Sequence, residues 1–150
     1  MGRRALQLTF KNVTVECYIH VTAYLTPFAD PPRLMVQLMT IEEDHQFGPL
    51  YGVASVNLPD LPAPPANAFY CKTWSENEGL LEQMEAQGAV RVLERGGVPV
   101  NQWGSRAVLC ELAWGGADME VDIPPREQRA RQAEDSERFL AHTYVMHLGM

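Results

Sequence analysis

The sequence predicts an α+β fold: one antiparallel sheet of five or six strands, a helix packed on it and a second helix at the C-terminus. Three observations carry this. "VTVECYIHV" (13–21) alternates apolar and polar residues over nine positions, the period of a half-buried strand. "RLMVQLMTI" (33–41) and "LYGVASVNL" (50–58) are two further strand-like runs separated by a polar turn, which suits a hairpin. "SENEGLLEQMEAQG" (75–88) pairs a helix start signal with an apolar stripe and a terminal glycine.

In the first strand, Val13, Val15, Cys17, Ile19 and Val21 are expected on one face and Thr14, Glu16, Tyr18, His20 and Thr22 on the other. "ALQLTF", joined through Lys11 and Asn12, reads as its hairpin partner. Pro27, Pro31 and Pro32 end the run, since proline lacks a donor and restricts its neighbour. Leu34, Val36 and Leu38 are the inward set of the next strand. Leu50, Ala54, Val56 and Leu58 are that of the following one, where Gly52 allows a bulge or a close approach. Four prolines within Pro59–Pro65 then make a stiff crossover that cannot enter the middle of a sheet. A short extended piece follows.

Ser75 and Glu78 have the spacing of a capping box. The helix is expected over 76–87, with Leu80, Leu81 and Met84 inward, Glu76, Glu82 and Glu85 wet, and Gly88 leaving it left-handed. Val90 and Val92 open a short strand, residues 95–106 read as a loop, and Val108, Cys110, Leu112 and Trp114 alternate along a last, central strand. Residues 1–116 form the sheet-plus-helix domain on this reading. Residues 117–150 are an acidic linker and an amphipathic helix starting at Pro125, packed on the same domain and able to pair two copies of the chain.

The 150 residues, 46% hydrophobic and 21% charged, suffice for a core without disulfides or metal. A net charge of −7 argues against direct nucleic-acid binding by phosphate neutralisation. Cys17, Cys71 and Cys110 are odd in number and far apart, so buried free thiols are expected rather than a disulfide framework. No 18-residue apolar run or signal peptide is evident, which leaves the cytoplasm and no membrane partner. His142 and His147 lack metal-pair spacing, the acidic run 42–44 matches no cation loop, and no cofactor motif is present, so neither metal nor cofactor is expected.

The functional signal lies in "RGGVPVNQWGSR" (95–106), which gathers Arg95, Asn101, Gln102, Trp103 and Arg106 on a glycine-rich turn. Tryptophan and arginine are the commonest interface anchors. Tyr51, Tyr70 and Trp74 form a second aromatic group, and Glu78 and Glu82 an acidic face beside it. A binding module that meets another protein through these residues is the leading reading. In one version, Glu76, Glu78, Glu82 and Glu85 line up with Glu42, Glu43 and Asp44 to imitate DNA. The runner-up is a small hydrolase or transferase built on Cys71 or His20, and a third reading is a self-assembling structural protein.

With those residues in view, "ASVNLPDLP", "NAFYCKTWSENEGLLEQMEAQG" and "GGVPVNQWGSRAVLCEL" resemble, in order, a family of small uncharacterised proteins from bacterial plasmids, conjugative elements and phage-like islands. The resemblance spans about residues 33–114 and implies no catalytic residue. It does imply a mobile-element setting, in which the partner would be a host protein such as a defence nuclease, inhibited in the anti-CRISPR or anti-restriction manner.

Overall fold

A computed structural model describes residues 3–25, 31–41, 50–125 and 127–132. The fold is α+β, with eight strands in two hydrogen-bonded sheets among the described residues. In the first sheet, β1 (Leu6–Phe10), β2 (Val13–Ala23), β3 (Leu34–Thr40) and β4 (Leu50–Val53) form an antiparallel meander. The β1–β2 connection is the two-residue turn Lys11–Asn12, with φ of 52° and 68°. Positive φ at both positions matches the strands' own twist.

The face expected inward on β2 is buried at Cys17, Ile19 and Val21, whereas Val13 is exposed at the end of the hairpin. Leu34, Val36 and Leu38 of β3 are buried as expected. The strand expected over 50–58 is shorter. Leu38 faces Gly52 while Met39 faces Leu50, so Tyr51 is the extra residue of a bulge and Leu50 turns out to solvent.

Residues 54–56 cross from one sheet to the other. Ala54 donates its N–H to the Val36 carbonyl of β3, and its own carbonyl accepts from Lys72. Ser55 bridges Cys71 of β5 (Ala68–Lys72). The second sheet has the order β5, β7, β6, with β6 spanning Val90–Pro99 and β7 Arg106–Leu112. The central place of β7 explains why both of its faces are apolar.

Two expectations around the helix are corrected. Ser75 makes no capping bond. It takes φ of 59° and begins a tight 3-10 turn, Ser75–Asn77. Asn77 is buried there and donates from Nδ2 to the Val53 carbonyl at 2.7 Å, and that inward pull replaces a helical first turn. Gly79, at φ of 85°, then redirects the chain, so α1 covers only Leu80–Ala86. Its far end is as expected: Ala89 donates to the Met84 carbonyl and Gly88 to that of Glu85, the paired bonds of a Schellman exit. Leu80, Leu81 and Met84 are buried in the common core with Ile19, Val36, Phe69 and Cys110.

Helix α1 also closes an edge. Gln83 and Gln87, one turn apart, present their amides to the free side of β1. Gln83 accepts from the Thr9 N–H at 2.7 Å and donates to the Thr9 carbonyl at 3.0 Å. Gln87 does the same for Gln7, at 2.9 and 2.7 Å. Two side chains thus stand in for a neighbouring strand and satisfy an edge that would otherwise be open to another chain.

After β7, a short β8 (Glu120–Val121) pairs in parallel with β2 at His20 and Val21, a contact the acidic composition of this stretch concealed. Residues 127–132 are helical. The remaining tail, with His142 and His147, lies outside the described residues, as do Glu42, Glu43, Asp44 and His45. No helix among the described residues is long and apolar enough to cross a membrane.

Candidate functional site

The segment read as a loop over 95–106 is half strand: β6 continues to Pro99 and β7 begins at Arg106. The strand survives its glycines because they form a bulge. Glu94 faces Leu109 and Val98 faces Ala107, so β6 carries extra residues between them. Gly97 has φ of 68°, and a Cβ there would lie 2.7 Å from the Ala107 carbonyl oxygen. Only glycine combines that conformation with that approach. The Arg106 guanidinium donates to the carbonyls of Gly96 and Gly97, both at 3.3 Å, and so fastens the bulge from the opposite strand.

The true tip is 100–105. The Asn101 side chain accepts from the backbone N–H groups of Trp103 (2.9 Å) and Ser105 (3.3 Å), the local turn chemistry that asparagine supplies. Val100 donates to the Ser105 carbonyl at 3.0 Å and closes the base. On this tied loop Trp103 is 80% exposed, so it projects outward instead of folding back on the sheet. Gln102 is exposed beside it.

The other residues singled out from the sequence lie in different places. Arg95 pairs with Glu85 of α1 at 2.6 Å, and that carboxylate pushes the guanidinium's pKa up. Tyr70 is half-buried in a narrow crevice with Tyr24 and Arg33. Trp74 is half-buried, with the Lys72 ammonium 5.7 Å from its ring centre. Tyr51 lines a separate open cleft of about 700 Å³ floored by Phe10, Leu38 and Leu80 and rimmed by Glu76 and Glu78. Tyr51 and Tyr70 therefore line different recesses.

Glu78 and Glu82 are exposed, but the acidic face is not a row of free charges. Lys72 reaches Glu76 at 2.6 Å and holds its carboxyl down to about 2. Glu85 is taken by Arg95.

The residues of the hydrolase reading are kept apart by strand parity. Cys71 points into the core and is fully buried. His20 lies on the opposite face from Ile19 and Val21, bonded to Gln37 at 2.7 Å with Glu120 3.7 Å away. Hydrogen bonding from Cys71, followed by burial, pushes the Cys110 thiol up. Burial alone pushes Cys17 up to about 11. A thiol nucleophile needs the reverse, a lowered pKa and access. Among the described residues no group of three or more histidine, cysteine, aspartate or glutamate side chains is placed to hold a metal ion.

Sequence contributes Trp103, Asn101 and Arg106 to this surface but misses a neighbour. A groove of about 410 Å³ beside the tip is lined by Leu58, Pro59 and Leu61 from the proline-rich crossover, Val98 and Pro99 from β6 and Val100 of the tip. Its outer wall is held by Arg33, whose guanidinium donates to the Leu58 and Leu61 carbonyls. These segments are some forty residues apart in sequence, so no local pattern announces the groove. Set against family models, curated proteins and solved structures, the chain matches none.

Proposed function

We propose that this chain is a protein-binding module that docks through the β6–β7 hairpin tip, with Trp103 as the anchor. The observation that carries the reading is an indole left 80% exposed on a loop tied by Asn101 and by the Val100–Ser105 bond. A buried indole removes a large apolar area from water, and a loop already fixed loses little freedom on binding. Leaving so large an apolar group in water gives the isolated fold nothing.

The resemblance over residues 33–114 supplies the setting for this proposal: a host protein as partner, and a defence nuclease as the form such a partner takes there. Recognition by imitation of DNA is not part of it, because Glu76 and Glu85 are neutralised by Lys72 and Arg95.

The test is capture from a lysate of the bacterium that carries the gene, washed at about 0.3 M salt to shed merely electrostatic binders. Wild type and Trp103→Ala are run in parallel. The reading expects one partner retained in stoichiometric amount by the wild type and lost by the variant. Equal retention by a folded Trp103→Ala protein would remove the hairpin from the interface.

A further inference from the structure

We propose that the hairpin surface is complementary to itself, so that two copies of the chain exchange Trp103 side chains across a two-fold axis. The inference rests on the reading of the tip as a docking surface and names one occupant for the groove beside it. Knob and hole are neighbours on one hairpin. Val98, Pro99 and Val100 line the groove, and Trp103 stands three residues further along the same hairpin. When two such hairpins meet about a two-fold axis, each knob enters the other copy's hole, the reciprocal contact of an isologous pair.

Charge agrees with this pairing. Asp60 is the acidic group of the groove and is exposed. Arg106, at the base of the knob, spends its hydrogen bonds on two carbonyls. Among the described residues neither Asp60 nor Arg106 has an ion-pair partner. In the exchanged pair, the arginine of each copy approaches the aspartate of the other.

Both halves are held before contact, the knob by Asn101 and the hole by Arg33, so little ordering is needed on association. The pair is nonetheless weak. Two indoles and the walls they cover amount to roughly 600–1,000 Å², short of the ~1,200 Å² at which stable complexes begin. A tighter partner for the same tip would displace the second copy.

The experiment is sedimentation equilibrium of the full chain from about 10 µM to about 1 mM, the range where a weak pair forms. It is run on wild type, Trp103→Ala and Asp60→Arg, with far-ultraviolet circular dichroism confirming that each variant is folded. Expected is a wild-type mass that rises toward the dimer, with at least tenfold weaker association for both variants. A wild type that stays monomeric throughout overturns self-exchange, while the docking reading is judged separately by its capture experiment. Association that ignores Trp103→Ala places any dimer elsewhere and also overturns the inference. Sensitivity to Trp103→Ala with none to Asp60→Arg overturns the assignment of this groove as the hole.

Discussion

Replacing Gln83 or Gln87 by alanine removes a pair of hydrogen bonds from the edge of β1 without touching the apolar core. Each amide makes one bond to a backbone N–H and one to a carbonyl of β1, between 2.7 and 3.0 Å. A neutral hydrogen bond contributes about 0.5–1.5 kcal/mol net, and these lie toward the surface, at the lower end of that range. Each single variant should therefore lose about 1–2 kcal/mol. The double variant should depart from the sum, because the two amides grip adjacent parts of one strand. Urea unfolding measures the loss as a lower midpoint with an unchanged slope. Amide exchange gives the sharper readout. Gln83→Ala should release the Thr9 amide and leave Gln7 protected, and Gln87→Ala should do the opposite. A loss below about 0.3 kcal/mol, or equal release of both amides by either variant, would refute the view that these side chains act as a strand.

Gly97→Ala meets both a left-handed backbone and the Ala107 carbonyl at 2.7 Å, so it should lower stability by about 2–4 kcal/mol. Gly88→Ala meets only the φ of 75°, with nothing within 4 Å, and about 1 kcal/mol is expected; equal losses in parallel denaturant titrations would discount the bulge contact. The lowered pKa of Glu76, held down first by the Lys72 hydrogen bond, gives a signed pH effect. The pair's contribution is complete above the ordinary glutamate value of about 4.3 and is lost as pH falls toward about 2. Lys72→Met should flatten that acid limb of the stability profile, and an unchanged limb would contradict the pairing. Cys17, Cys71 and Cys110 are all fully buried, so a disulfide-forming thiol reagent at about pH 8 should label none of them until denaturant is added; rapid native labelling would count against this core.

How far the fold is readable depends on whether a local rule met a tertiary rival. Lys11–Asn12, the inward residues of β3 and Gly88 follow local rules that nothing opposes, and they are where the sequence places them. Ser75 and Glu78 also satisfy a local rule, yet the buried Asn77 bond to Val53 outweighs it and the helix begins at Leu80 instead of Glu76. The glycine-rich 95–99 run reads as loop because glycine is a poor strand former. Its role as a bulge becomes visible only when Ala107 is placed opposite Gly97.

The site divides in the same way. Trp103 and Arg106 are recognisable as anchor types in the sequence. Whether the indole projects or folds back is decided by the bonds Asn101 makes to the tip, and the groove depends on a contact between distant segments. The exposed carboxylates read as one acidic face until Lys72 and Arg95 are located beside two of them.

The most direct test of docking through the hairpin is hydroxyl-radical footprinting of the protein alone and in complex with its captured partner. Free Trp103, at 80% exposure, should be among the most heavily oxidised side chains. Binding through the tip should suppress its oxidation several-fold while Tyr51, at the rim of the large cleft, remains as reactive as before. Protection of Tyr51 with Trp103 still fully oxidised would place the partner at the cleft and contradict the account.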